Sequence, residues 1–103
     1  GKSAGGETLL GMTIGEWLNT QPAEMVEAFM NGESVHVDEI RPCSAFDLKD
    51  PEQQACCFNW RNRQLLLAAD NLTKRDNWDP QSWAEMMRAK GWTGSLFLDG
   101  ILA

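Results

Sequence analysis

Residues 50–74 carry the longest uninterrupted run of apolar and polar positions in the chain, with no Gly or Pro between Pro51 and Pro80. At about 100° per residue, Ala55, Phe58, Leu65, Leu66, Ala69 and Leu72 fall on one arc, which predicts a helix. Asp50 is a helix cap and Pro51 suits the first helical position, where the missing N–H costs nothing. Cys56, Trp60 and Leu67 fall on the opposite arc. A surface helix carries one apolar stripe, so two stripes predict a helix at the centre of the domain or one covered by another chain.

The pattern elsewhere predicts shorter elements. Thr13-Ile14-Gly15-Glu16 fits a capping box, with a short helix after it. Met25, Val26, Phe29 and Met30 give the next helix, from Pro22, an apolar face that stops at Asn31-Gly32. Val35 and Val37 alternate with polar neighbours over residues 33–40, an edge-strand pattern. Asp79-Pro80 starts a last helix that carries Trp83, Met86 and Met87 and ends at Gly91. Leu96 to Leu98 is either a strand pairing with Val35 to Val37 or an apolar arm. The expectation is a mainly α fold, a small domain of four to five helices around one long central helix. A minor two-stranded β element, and hence α+β, is the alternative. Residues 12–103 read as one globular domain. Residues 1–11, Gly-rich and without periodicity, read as a disordered leader or cloning remnant, with Met12 the candidate natural start.

Length agrees with one domain, since 103 residues enclose one modest core. The net charge of −6, from 15 acidic and 9 basic residues, disfavours direct nucleic-acid binding, which needs a basic patch. The helix of residues 22–30 carries Glu24 and Glu27 and no cation, which is wrong for a recognition helix. There is no signal peptide and no transmembrane run, and three Cys do not make a disulfide framework; the expectation is a cytoplasmic chain with reduced thiols and no membrane contact.

No residue set commands catalysis. His36 is the single histidine, and it lacks an evident nucleophile and orienting acid. His36, Cys43, Cys56 and Cys57 have zinc-type chemistry without zinc spacing. The acids Asp38, Glu39, Asp47, Asp50 and Asp79 have simpler roles as loop, turn or cap residues. The reading is a non-enzyme with no metal and no cofactor. Five Trp and no Tyr are the residual signal, because so small a domain cannot enclose five such rings. Trp17, Trp83 and Trp92 are assigned to the core. Trp60, Arg61, Arg63 and Leu67 on the long helix, with Arg75 and Trp78 nearby, form the candidate partner-binding surface, since Trp and Arg dominate binding hot spots. The expected function is a small acidic protein-interaction module: a regulator, inhibitor or assembly factor, including one from a phage or other mobile element. Its partner is another protein or a second copy of itself. A nucleic-acid-mimicking inhibitor and a helix-turn-helix-like regulator are the alternatives, both weakened by acids that are interleaved with Lys and Arg.

Overall fold

Helix caps and one strand pairing set the architecture, which the computed structural model describes over residues 7–102. In order, the chain forms α1 (Glu7–Leu10), α2 (Ile14–Leu18), α3 (Ala23–Met30), β1 (Val35–Glu39), a 3-10 turn (Cys43–Ala45) and α4 (Pro51–Phe58). A second 3-10 turn (Trp60–Asn62), β2 (Arg63–Leu67), α5 (Ala68–Lys74) and α6 (Pro80–Ala89) complete it. Among the described residues this is a small α+β domain, rich in helix, with one two-stranded antiparallel sheet. None of these helices is long and apolar enough to cross a membrane.

The caps form as the residues demand. Thr13 Oγ1 accepts from the Glu16 N–H and Glu16 Oε1 accepts from the Thr13 N–H, which closes the capping box. Asp50 accepts from the Glu52 N–H at 3.0 Å, and Asp79 from the Ser82 N–H at 2.8 Å. These bonds give the α4 and α6 N-termini a partner for otherwise orphan donors. Gly32 and Gly91 follow α3 and α6 with φ of +75° and +90°, where a side chain would be strained.

The single helix expected over residues 50–74 does not form. The chain leaves α4 at Asn59, whose backbone is extended, and Asn59 Oδ1 accepts from the Arg61 N–H at 3.0 Å to start the 3-10 turn. An Asn side chain that bonds its own neighbouring backbone competes with helix in this way. The Leu65-Leu66-Leu67 run then pairs with β1 in the register Val35↔Leu67, His36↔Leu66, Val37↔Leu65, Asp38↔Gln64, Glu39↔Arg63. The two apolar arcs of the sequence therefore span a turn. Three successive leucines fit either period, and the backbone partner on β1 decides between them. It also follows that β1 does not pair with Leu96 to Leu98, which has no regular structure.

Val35 and Leu65 share one sheet face and close a core cluster with Leu10 and Trp17, while α3 packs beside them. Leu10 is 4 % exposed and is the buried residue of α1, within the stretch expected as a leader. The first six residues of that expected leader lie outside the described residues. A second cluster joins Phe46, Cys56, Cys57, Trp83 and Met87.

Asn62 and Arg41 tie the elements together. Asn62 is fully buried, and its amide oxygen accepts from the Arg41 N–H and from Trp83 Nε1, both at 2.9 Å. Its amide nitrogen donates to the Arg41 carbonyl at 3.1 Å and the Cys57 carbonyl at 2.9 Å. Every bonding position of one side chain is used to hold Arg41, just after β1, against α4 and α6. Among the described residues the Arg41 guanidinium has no carboxylate partner. It donates to the carbonyls of Ala45, Leu96 and Phe97 and lies 4.1–4.8 Å from the ring centres of Phe46, Trp78 and Trp83. Burial pulls its pKa down, although the thiols of Cys56 and Cys57 oppose this. The aromatic faces offset part of the cost of a buried cation.

Candidate functional site

Sheet pairing places His36 and Asp38 on the face of β1 opposite to Val35. β2 runs directly into α5, with Leu67 as the residue before the first helical turn and the Ala68 N–H bonded to the Ser34 carbonyl at 2.9 Å. With no loop to let it swing away, α5 packs against both strands. Ala68, Asn71, Leu72 and Arg75 recur at i, i+3, i+4 and i+7, one stripe of a helix, and face the open side of β1. Pro42, Cys43 and Ser44 close one end.

The result is an open cleft of about 580 Å³ lined by His36, Asp38, Glu39, Pro42, Cys43, Ser44, Ala68, Asn71, Leu72, Arg75 and Asp76. Most of its wall is apolar, with a few polar groups that converge on it. That combination is the usual form of a binding site. Leu72 is 74 % exposed at the rim, the largest exposure of any bulky apolar side chain among the described residues.

Two of the three acids that line the cleft, Asp38 and Glu39, are already engaged. Asp38 is 8 % exposed; it accepts from Lys74 Nζ at 3.3 Å and from Gln64 Nε2 at 2.9 Å. Lys74 also donates to the Glu39 carbonyl at 3.1 Å, so one ammonium links the end of α5 to two positions on β1. Glu39 pairs with Arg63 at 3.2 Å and lies 3.5 Å from the Cys43 sulfur. Cys43 lies 3.1 Å from the sulfur of Cys57. Burial raises the pKa of all three thiols, that of Cys56 to about 11, so these sulfurs are held as neutral thiols. Among the described residues, no three His, Cys, Asp or Glu side chains are grouped to hold a metal ion.

The six residues expected to bind a partner do not share one surface. Trp60 is half-buried against the Leu10 and Trp17 cluster, with the Arg61 guanidinium 4.5 Å from its ring centre. Arg61 also donates through Nε to the Lys90 carbonyl at 2.7 Å. Arg63 is taken up by Glu39. Leu67 is 45 % exposed at the end of β2. Trp78 packs edge-on to Trp83 in the other cluster, at 5.7 Å between ring centres. Arg75 alone of the six lines the cleft, with φ of +49°. The helix face that was to unite them is replaced by a turn and a strand.

Sequence reasoning missed that His36 and Asp38 line the same cleft as Asn71 and Leu72. The alternation of β1 signalled the first two. The other wall depends on a strand that only tertiary pairing specifies.

No family model and no solved structure matches the chain. Two uncharacterised proteins of Acanthamoeba polyphaga mimivirus are similar to part of it. One, L246, is 39 % identical over 64 residues, 62 % of this chain and 28 % of that protein. The other, L426, is 34 % identical over 61 residues, 59 % of this chain and 27 % of that protein. The chain therefore resembles a segment that spans little more than a quarter of the curated relatives it matches.

Proposed function

We propose that the chain is a protein-interaction module, without catalysis of its own, that seats a segment of a partner protein in the cleft between β1 and α5. The observation that carries this reading is the cleft itself: a mostly apolar wall, with Leu72 largely exposed at its rim and both of its inner carboxylates, Asp38 and Glu39, paired with cations. An apolar wall favours a partner that brings apolar side chains. His36, Arg75 and Asp76 are left at the edge to fix its orientation. A regulator or assembly factor would use such a surface. The partner is another protein or a second copy of the chain.

The test is capture on immobilised wild-type chain compared with Leu72→Glu and with Leu48→Glu. Leu48 is 37 % exposed and does not line the cleft. Both substitutions are at exposed positions and leave stability within about 0.5 kcal/mol. The expected result is a partner held by wild type and Leu48→Glu and lost, at least tenfold, from Leu72→Glu. Equal retention by all three would remove the cleft from the account. Light scattering over a wide concentration range separates the two partner classes: a doubled mass that Leu72→Glu abolishes identifies a second copy.

A further inference from the structure

Two thiols meet where the cleft touches the core. Cys43 lies in the 3-10 turn after β1 and opens to the cleft, whereas Cys57, in α4, is fully buried. Their sulfurs are 3.1 Å apart. Cys56, although adjacent in sequence, is buried in the cluster of Phe46, Trp83 and Met87 and, among the described residues, makes no thiol contact. We propose that Cys43 is a hydroperoxide-reactive thiol and Cys57 its resolving partner, so that oxidation closes an intramolecular disulfide beneath the cleft.

Access sets the order of events. A small hydroperoxide reaches Cys43 from the cleft and cannot reach Cys57. The Cys43 thiolate attacks the distal peroxide oxygen; the O–O bond breaks, an S–O bond forms, and hydroxide or alkoxide leaves. The Cys57 sulfur then attacks the sulfenic sulfur. The S–S bond forms, the S–O bond breaks, and the departing hydroxyl takes the Cys57 proton as water. Two thiols lose two electrons and two protons, and one hydrogen peroxide becomes two waters. The first step is slow for a sensor thiol. Burial, with the Glu39 carboxylate beside it, holds the Cys43 pKa up, while the Cys57 hydrogen bond and Arg63 act the other way. The rate follows the thiolate fraction and so rises with pH. The second step is fast by comparison, because the resolving sulfur is already in contact.

The test is non-reducing peptide mapping of the folded chain after hydrogen peroxide, with a guanidinium-unfolded sample alongside. The expected product is a Cys43–Cys57 linked peptide pair, Cys56 still alkylatable, and reversal by dithiothreitol. In Cys57→Ser, dimedone should label Cys43, and in Cys56→Ser the disulfide should form as in wild type. A Cys43–Cys56 link or a chain-to-chain disulfide would overturn the proposal. So would a folded chain whose Cys43 stays reduced while the unfolded chain oxidises. The wild-type map stands even where Cys57→Ser fails to fold.

Discussion

Replacing Asn62 with Ala should remove a large part of the stability of this domain. Its side chain makes four hydrogen bonds in a fully buried site, to the Arg41 N–H and carbonyl, the Cys57 carbonyl and Trp83 Nε1. At a net of about 1 kcal/mol for each bond, the loss is about 4 kcal/mol, before the penalty for partners left unpaired. A domain of this size has roughly 5–15 kcal/mol in all. With a urea slope of about 1.3 kcal/mol/M, the unfolding midpoint should fall by about 3 M, or the chain should not fold. Asn62→Asp sharpens the test, since it keeps the shape and the oxygen that accepts two bonds but turns a carboxylate oxygen toward two carbonyls. Burial raises the folded-state pKa of that carboxyl above its unfolded value. The penalty is then present above the folded pKa and relieved as pH falls through it, so this variant should gain on wild type in acid. Urea titration followed by Trp fluorescence at neutral pH and near pH 4 reads both effects. A cost below about 1 kcal/mol for Asn62→Ala, or no gain for Asn62→Asp in acid, would refute the role assigned to this residue.

Other expectations follow from single contacts. Arg41→Met should release the segment after α6, which Arg41 holds through the Leu96 and Phe97 carbonyls. Proteolysis beyond residue 92 should quicken, and stability should fall by about 2 kcal/mol, since desolvation of the cation offsets part of its hydrogen bonding. The Ser82 N–H holds the Asp79 carboxyl below its usual pKa. Its contribution is complete above the unfolded value of about 3.9 and is lost as pH falls through the folded one. Asp79→Asn, which keeps a capping oxygen, should match wild type near neutrality and fall less in acid, as thermal melts across pH would show.

How much of this fold could be read from the sequence depends on whether an element is specified locally. Thr13 with Glu16, Asp50 with Pro51, Asp79 with Pro80, and the glycines after α3 and α6 specify helix ends within a few residues, and those ends are where the sequence places them. The alternation at Val35 and Val37 likewise marks β1. The stretch around Asn59 to Leu67 could not be read in the same way. Leu65, Leu66 and Leu67 satisfy a helical arc and a buried strand equally, and the choice rests on backbone groups of β1 about thirty residues away. The candidate site inherits that ambiguity. Ala68, Asn71, Leu72 and Arg75 lie on one stripe in either reading. Whether the stripe faces His36 and Asp38 depends on β2 turning α5 back over the sheet.

The cleft is the central claim, and amide hydrogen exchange tests it most directly once a partner is captured. The chain would be exchanged alone and at saturation, and the protection mapped by peptide. The account predicts new protection in two separated segments, 36–44 and 68–76, with no change at Trp60 to Asn62. Protection at Trp60 and Arg61, with both cleft segments exchanging as in the free chain, would contradict it and return the partner surface to the Trp60 side of the domain.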